Sequence, residues 1–262
     1  MPHASPTLTI MINAARKAGR ALARDFGEVE NLQVSKKGPS DFVTAADLRA
    51  EKVIFEELSK ARPGYGFLME ERGAVEGSDK THRFIVDPLD GTTNFMHGLP
   101  HFAISIALER EGELVAGVIY DVAKDELFHA ERGAGAFLKD RRLRVAARTD
   151  LGSALIATGM PFRGKPGQER FLKELHRVMA ATAGVRRYGS AALDLAYVAA
   201  GRFDAFWERD LAAWDIAAGA IIVREAGGFA REVDGRDFME TGSIIAGNER
   251  MIALLGKTLA AA

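Results

Sequence analysis

Cysteine is absent from this chain, and its absence excludes disulfide bonds, zinc–thiolate sites and a cysteine nucleophile. A chain without thiols suits a reducing compartment, so we expect a cytoplasmic location. No segment approaches the ~20 apolar residues that a membrane-spanning helix needs, and residues 1–9 lack the features of a secretory signal. The net charge of −1 gives no overall attraction to nucleic acid or to an acidic membrane. We therefore expect neither a membrane partner nor direct nucleic-acid binding.

The hydrophobic content is sufficient for one large core or two modest ones, because 47% of the 262 residues are hydrophobic. Between residues 103 and 145 apolar residues recur with a period of two, which predicts a largely antiparallel sheet. After residue 150 strand and helix patterns alternate: strands at 154–158, 185–187 and 203–207, and helices at 168–183, 190–200 and 215–226. Such a pattern favours helices layered on both faces of sheets.

Two amphipathic helices are predicted near the start of the chain. Ser5-Pro6 is typical of a helix N-cap followed by proline, and apolar residues recur at helical spacing until Gly27. Residues 36–40 are polar and predict a loop. Thr44 is a second candidate N-cap, with Asp47 three residues later in a capping-box arrangement.

The segment from Asp87 to Asn94, Asp-Pro-Leu-Asp-Gly-Thr-Thr-Asn, is the most informative part of the chain. It follows the apolar run 84–86, which predicts the end of a buried strand. Asp-Pro and Asp-Gly are also ordinary turn dipeptides, so a surface turn is the alternative interpretation. However, two carboxylates suit a hard cation such as Mg²⁺, and a turn led by Gly91 suits phosphate. One loop thus offers what metal-assisted phosphoryl transfer to water requires.

Further acidic residues favour the metal-site interpretation. Glu70 and Glu71 end the apolar stretch 67–69, and Asp215 begins an apolar helix far downstream. Carboxylates beside buried segments are costly when unpaired. A bound cation is the best explanation for gathering them.

Together these motifs resemble the inositol monophosphatase family over nearly the whole chain. The resemblance rests on residues 87–94, on Trp-Asp-Ile-Ala-Ala-Gly at 214–219 with Arg-Glu-Ala-Gly-Gly at 224–228, on Glu70 and on the segment 41–47. Residues 187–195 are similar to the bacterial branch of the family. The resemblance implies a five-layer α-β-α-β-α sandwich with two closely joined halves, residues 1–150 carrying the metal and phosphate motifs and 151–262 carrying substrate and second-metal residues.

The resemblance also implies two or three Mg²⁺ ions per active site. Glu70, Asp87 and the Leu89 carbonyl would hold the first ion, and Asp87, Asp90 and Asp215 the second. A third, weaker ion would depend on Glu70 and water.

The catalytic and phosphate-binding roles follow from the same resemblance. Thr92, backed by Asp47 or Glu70, would orient the attacking water, although Asp47 can equally be a helix cap. Asp90 and the backbone N–H groups of Gly91 and Thr92 would bind phosphate. Thr93 and Asn94 are expected to stabilise the turn.

Substrate contacts are expected from the C-terminal half. Glu208 stands seven residues before Asp215, at the spacing that the family uses for a carboxylate that grips the inositol ring. The alternative is a polar residue that merely ends a strand. Ser190 and Ala191 would flank the ring, together with Asp215. His97 and His101 are not expected to bind metal, because a magnesium site is rich in oxygen.

We expect a lithium-sensitive, Mg²⁺-dependent phosphatase of myo-inositol 1-phosphate. Fructose 1,6-bisphosphate, histidinol phosphate, NADP and 3′-phosphoadenosine nucleotides are alternative substrates. A role in binding the transcription machinery is an alternative of another class, for which residues 186–187 could provide a surface. A homodimer is also expected, with the apolar strands at 103–108 and 154–158 supporting an interface.

Overall fold

The computed structural model describes residues 4–28, 34–38 and 41–261. The helices, numbered in chain order, are α1 (Pro6–Phe26), α2 (Ala45–Ala61), α3 (Thr92–Met96), α4 (Gln168–Ala181), α5 (Ala191–Ala199), α6 (Ala213–Glu225), α7 (Phe238–Thr241) and α8 (Glu249–Ala260). None of the helices in these ranges is long and apolar enough to cross a bilayer.

A large sheet and a small sheet hold most of the strands. A separate hairpin pairs β1 (Val34–Gly38) with β2 (Asp41–Thr44). The large sheet consists of β3 (Tyr65–Met69), β4 (Gly73–Val75), β5 (Asp79–Asp90), β6 (Ala103–Arg110), β7 (Glu113–Asp121), β8 (Glu126–Glu131), β9 (Gly135–Leu138) and β10 (Arg141–Arg142). The small sheet consists of β11 (Leu155–Thr158), β12 (Gly184–Arg186), β13 (Ala205–Glu208), β14 (Phe229–Glu232) and β15 (Ile244–Gly247).

The large sheet is antiparallel except where β3 runs parallel to β5, and its strand order is β10-β9-β8-β7-β6-β5-β3-β4. The small sheet has the order β12-β11-β13-β15-β14. Strand β11 runs parallel to β12 and β13, and β15 runs antiparallel to β13 and β14. The sequence-based prediction of an antiparallel sheet followed by alternating strands and helices is confirmed.

The two N-terminal helices begin where the sequence predicts. The Ser5 hydroxyl accepts a hydrogen bond from the backbone N–H of Leu8 at 3.1 Å, and Pro6 occupies the first turn of α1. At the start of α2, Thr44 and Asp47 form a reciprocal capping box. Such caps supply partners for backbone groups that a helix end leaves unpaired.

Side chains of the large sheet alternate between two layers of helices. Phe84 and Val86 of β5 pack in the core that α1 and α2 cover. Ile85, between them, points to the opposite face and packs with α5 and α6. This alternation is the period of two that a strand imposes, and it buries the strand on both faces.

The helix layer of α5 and α6 lies between the two sheets. Gly117 of β7 marks how closely α6 approaches the large sheet, because a Cβ atom there would lie 2.8 Å from the Ala218 carbonyl oxygen. On the small sheet, Phe206 packs with this central layer, whereas the neighbouring Trp207 packs with α4 and α8 on the outer face. The layers therefore alternate α-β-α-β-α, and the predicted five-layer sandwich is confirmed.

Two structural expectations were wrong. The predicted loop at 36–40 is partly strand, because residues 34–38 pair with 41–44; residues 39–40 lie outside the described ranges. The strands at 103–108 and 154–158 are interior strands of their sheets and fill the core, so they cannot carry the expected dimer interface. The homodimer and the division into halves at residue 150 stay predictions.

Candidate active site

A β-bulge at the end of β5 brings the first two carboxylates together. Asp87 and Asp90 stand three residues apart, which in a regular strand would place them on opposite faces. Their register partners on β6, Ser105 and Ala103, are only two residues apart, so β5 carries one extra residue between them. The bulge turns both aspartates to one side. The strand therefore continues through Asp90, whereas the sequence predicted that it would end before Asp87.

Each of three aspartates is held by a backbone N–H group. Asp87, which is buried, accepts from Leu89 N at 2.8 Å. Asp90 accepts from Ala192 N at 2.8 Å at the start of α5. Asp215, in the first turn of α6, accepts from Ala212 N at 2.8 Å. These bonds fix one oxygen of each carboxylate and leave its second oxygen for a ligand.

Glu70 completes the acidic group from the neighbouring strand. It directly follows β3, and its backbone N–H donates to the Val86 carbonyl at 3.2 Å, which places it beside Asp87. Four carboxylates from β3, β5 and α6 thus converge.

The convergence raises the pKa values of the aspartates. Burial and the charges of Glu70, Asp90 and Asp215 raise the pKa of Asp87 well above its usual range. Burial raises the pKa of Asp90 to about 6, against the opposing hydrogen bond from Ser190. Burial and the charge of Asp90 raise the pKa of Asp215 to about 8. Mutual repulsion of this kind is relieved by a bound cation.

The donor set fits a hard divalent cation, because all of its donors are oxygens. Within residues 4–28, 34–38 and 41–261, no group of three or more acidic or histidine side chains is arranged so that it could hold a metal ion by itself. Mg²⁺ usually keeps several waters and shares substrate phosphate oxygens, so it needs fewer protein ligands than a closed site would provide.

Gly91 forms the turn between Asp90 and α3. Its φ of 97° lies in the left-handed region, and a Cβ atom would lie 3.1 Å from the His101 carbonyl oxygen, so only glycine fits without strain. The Asn94 amide donates to the carbonyls of His101 and Tyr188, both at 2.8 Å. The prediction that Asn94 stabilises the turn is confirmed.

Thr92 connects the turn to α2. Its hydroxyl lies 3.1 Å from Asp47 Oδ1 and 3.0 Å from the Leu89 carbonyl oxygen, and it can donate to either. The other oxygen of Asp47 accepts from Thr44 N at 2.8 Å. Burial raises the pKa of Asp47, and the hydrogen bonds from Thr44 oppose that rise. Asp47 therefore both caps α2 and contacts Thr92.

A cavity of about 990 Å³ opens from the acidic group toward the small sheet. Ser190 and Ala191 at the start of α5 line it, as does Glu208 at the end of β13. Burial and the charges of Asp215 and Asp90 raise the pKa of Glu208 to about 8. The predicted substrate residues thus face the same cavity as Asp90 and Asp215. His97 and His101 do not line it.

Sequence reasoning missed several residues of this cavity, and three of them act on its carboxyl groups or add one. Gly159 donates its backbone N–H to Glu208, and a Cβ atom there would lie 1.8 Å from a Glu208 oxygen. The signal was a glycine directly after the strand at 154–158. Asp194, on α5, also lines the cavity, as does Lys165, whose charge lowers the pKa of Asp215. For Asp194 the signal was a carboxylate inside an otherwise apolar helix.

Comparisons with known proteins show the family of this chain. The model of the inositol monophosphatase family matches residues 3–261. An inositol-1-monophosphatase of Mesorhizobium japonicum is 65% identical over 246 residues, which cover 94% of this chain and 92% of that protein. The Nus factor SuhB of Pseudomonas aeruginosa is 45% identical over 97% of this chain and 96% of its own length. The crystal structure of the extragenic suppressor protein suhB of Bartonella henselae superposes with a TM-score of 0.95 at 60% identity, covering 97% of this chain and 98% of the other.

The layered fold and its similarity to named phosphatases define the class: this is a phosphatase enzyme. The chain belongs to the inositol monophosphatase family.

Proposed function

We propose that this protein hydrolyses myo-inositol 1-phosphate to myo-inositol and phosphate with Mg²⁺ as cofactor. The observation that carries the proposal is the convergence of Asp87, Asp90 and Asp215 at one end of a cavity whose wall further along holds Glu208. The high identity to an inositol-1-monophosphatase supports the named substrate. We assign the metal and phosphate motifs to the half 1–150, and the substrate and second-metal residues, among them Asp215, to the half 151–262.

Two or three Mg²⁺ ions are held, in this proposal, by Glu70, Asp87, Asp90, Asp215 and the Leu89 carbonyl. When bound, Mg²⁺ neutralises phosphate charge, activates water and stabilises the leaving oxygen. The protein's own contribution is to hold the carboxylates in place through their backbone hydrogen bonds, so that little reorganisation is needed during the reaction.

Thr92 and Asp47 position the attacking water. The Thr92 hydroxyl can donate to Asp47 while its oxygen accepts a hydrogen bond from the water. A buried Asp47 with a raised pKa is a better proton acceptor than an exposed aspartate. Glu70 is the second group that can support this water.

The phosphate is bound at the turn between β5 and α3. Gly91 and Thr92 present backbone N–H groups there, and the left-handed conformation of Gly91 lets an anion approach without a Cβ atom in the way. Asp90 joins this group through the metal.

The polyol ring lies between the start of α5 and the end of β13. Ser190 and Ala191 contact one side, and Glu208 accepts hydrogen bonds from ring hydroxyls. Asp215 contacts both metal and substrate. Gly159 N–H orients the Glu208 carboxylate for this role.

A substrate panel tests the proposal. Phosphate release by the purified protein is measured for myo-inositol 1-phosphate, fructose 1,6-bisphosphate, histidinol phosphate, NADP and a 3′-phosphoadenosine nucleotide, each with Mg²⁺ and with a chelator. We expect the highest kcat/KM for myo-inositol 1-phosphate, loss of activity without Mg²⁺, and inhibition by lithium. A higher kcat/KM for another compound would show that this compound, and not myo-inositol 1-phosphate, is the preferred substrate. Full activity in the presence of chelator would overturn the metal assignment.

Binding to the transcription machinery is a second candidate function. It is favoured by the Nus factor relative, which matches nearly the whole chain at 45% identity. The exposed pair Arg186 and Arg187 offers a basic surface at the edge of the small sheet. If an Asp87→Asn variant still retains RNA polymerase or its elongation factors in a pull-down, this role is separate from catalysis. If neither the wild type nor the variant retains them, this role is excluded.

A further inference from the structure

Asp194 is an unusual carboxylate in this molecule. Among the described residues, four buried side-chain atoms have no hydrogen-bond partner: Ser59 Oγ, His101 Nε2, His129 Nδ1 and Asp194 Oδ1. Of these residues only Asp194 lines the cavity, and only Asp194 bears a carboxyl group. Its side chain is 1% exposed. An acceptor buried without a partner lowers the stability of a protein, so its presence at the cavity calls for a ligand.

The position of Asp194 places it on the substrate side of the cavity. It stands three residues after Ala191 on the same side of α5, and both line the cavity together with the N-cap residue Ser190. Burial raises the pKa of Asp194, and the charges of Glu208, at the end of β13, and of Asp90 raise it further. The charge of Arg187 acts in the opposite direction. Carboxyl groups from two different elements, α5 and β13, therefore line the same cavity.

Buried aspartates elsewhere in the molecule are paired. Asp204 accepts from Leu155 N at 2.8 Å and lies 3.5 Å from the Arg148 guanidinium. Asp121 accepts from Lys124 N at 3.0 Å and from its ammonium group at 2.9 Å. Those carboxylates have evident structural roles. Asp194 Oδ1 lacks such a partner, which distinguishes it from a merely structural buried acid.

We propose that Asp194 Oδ1 accepts a hydrogen bond from a substrate hydroxyl adjacent to the one that Glu208 holds. Asp194 and Glu208 together then read a pair of neighbouring hydroxyl groups, which selects phosphorylated polyols over alkyl or aryl phosphates. Asp194 is thus a specificity residue. This inference rests on the proposed function and adds a second contact to its substrate site.

Three variants test the role. Asp194→Leu removes both oxygens at similar size, Asp194→Asn keeps one acceptor oxygen, and Asp204→Asn is a control at a paired, buried aspartate. Steady-state kinetics are measured with myo-inositol 1-phosphate and with p-nitrophenyl phosphate, which has no neighbouring hydroxyls. Thermal unfolding is measured for the same proteins.

For Asp194→Leu we expect KM for myo-inositol 1-phosphate to rise about tenfold, equivalent to ~1.4 kcal/mol, with kcat changed little. KM for p-nitrophenyl phosphate should not change. The Tm should rise, because an unpaired buried carboxyl group has been removed. Asp194→Asn should give a smaller rise in KM. Asp204→Asn should lower Tm without changing either KM.

A purely structural Asp194 would give the opposite pattern. Its replacement by leucine would then lower Tm, or weaken both substrates equally, and either result overturns the inference. An unchanged KM for myo-inositol 1-phosphate would also overturn it while the proposed function stands. If wild-type protein hydrolyses p-nitrophenyl phosphate but no phosphorylated polyol, the proposed function and this inference both fail.

Discussion

The two ends of the cavity hold their carboxylates in different ways. At the reacting end, Asp87, Asp90 and Asp215 each accept a backbone N–H, so their orientations are set before any ligand arrives. At the other end, Glu208 also accepts one backbone N–H, from Gly159, but Asp194 Oδ1 accepts none. Fixed charges suit chemistry, because they need no reorganisation. Unfilled acceptors suit recognition, because a substrate lacking the matching donors leaves them unpaired.

The charged groups that surround the carboxyl groups also differ between the two ends of the cavity. Burial and neighbouring carboxylates raise the pKa values of Asp87 and Asp215 at the reacting end, and the charge of Lys165 partly opposes the rise at Asp215. At the recognition end, burial and neighbouring carboxylates raise the pKa values of Asp194 and Glu208, and the charge of Arg187 partly opposes that rise. In the proposed function, the reacting end binds metal, whereas the recognition end binds substrate hydroxyl groups.

The largest effect on turnover should come from a substitution among the aspartates of the reacting end. Asp87→Asn removes a charge that the proposed metal site shares between two ions, so kcat should fall about a thousandfold or more. The variant should remain folded, because asparagine can still accept the hydrogen bond from Leu89 N. Circular dichroism and phosphate release measure the two outcomes. Turnover within about tenfold of wild type would show that Asp87 is not a ligand of the catalytic metal.

A smaller loss is expected at Thr92. Thr92→Val keeps the shape of the side chain but removes the hydroxyl that contacts Asp47, so kcat should fall about a hundredfold. KM should change little, because the backbone N–H groups at the phosphate turn remain. Thr93→Val, at the neighbouring exposed position, is the control. Equal losses in the two variants would show that the turn, and not the Thr92 hydroxyl, is being disturbed.

At the recognition end the effect should depend on the substrate. Glu208→Ala should weaken kcat/KM for myo-inositol 1-phosphate by a factor corresponding to about 1–3 kcal/mol, because ring hydroxyls lose an acceptor. Hydrolysis of p-nitrophenyl phosphate should be nearly unaffected. Glu208→Gln, which keeps an acceptor oxygen, should be less impaired. Equal damage to both substrates would assign Glu208 to structure or to catalysis.

The smallest effect concerns stability and pH. The fold raises the pKa of Asp215 from 3.8 to about 8, so the folded protein binds more protons than the unfolded chain between these values. Without metal, Asp215 thus makes stability fall as pH rises through this window. Mg²⁺ pairs with the ionised form, so it should raise Tm more at pH 8 than at pH 5.5. A hundredfold excess of Mg²⁺ over its Kd at a given pH corresponds to about 2.7 kcal/mol of added stability at that pH. A larger shift at pH 5.5 would contradict this sign.

Much of the site could be predicted from the order of motifs along the chain. Glu70, Asp87 and Asp215 each stand beside an apolar stretch, and that local pattern suffices to suspect a metal site. The bulge that turns Asp87 and Asp90 to one side could not be predicted, because it depends on the register with β6. The close contact of Gly159 with Glu208 likewise exists only after β11 and β13 have paired.

The errors have a similar physical origin. Residues 36–40 contain Lys-Lys-Gly-Pro-Ser, without alternating apolar residues, so nothing local indicates that 34–38 pairs with 41–44. The apolar strand at 103–108 suggested an interface, but apolar strands also occur where helices cover both faces of a sheet. Strand β6 is in that position, between the layer of α1 and α2 and the layer of α5 and α6.

Direct measurement of Mg²⁺ binding tests the difference between the two ends most sharply. Calorimetric titration at pH 7.5 compares wild type, Asp87→Asn and Glu208→Gln in the absence of substrate. We expect wild type and Glu208→Gln to bind Mg²⁺ with similar affinity and Asp87→Asn to lose at least one site. Equal binding by all three proteins, or a loss confined to Glu208→Gln, would contradict the assignment of metal to the reacting end and of recognition to the other.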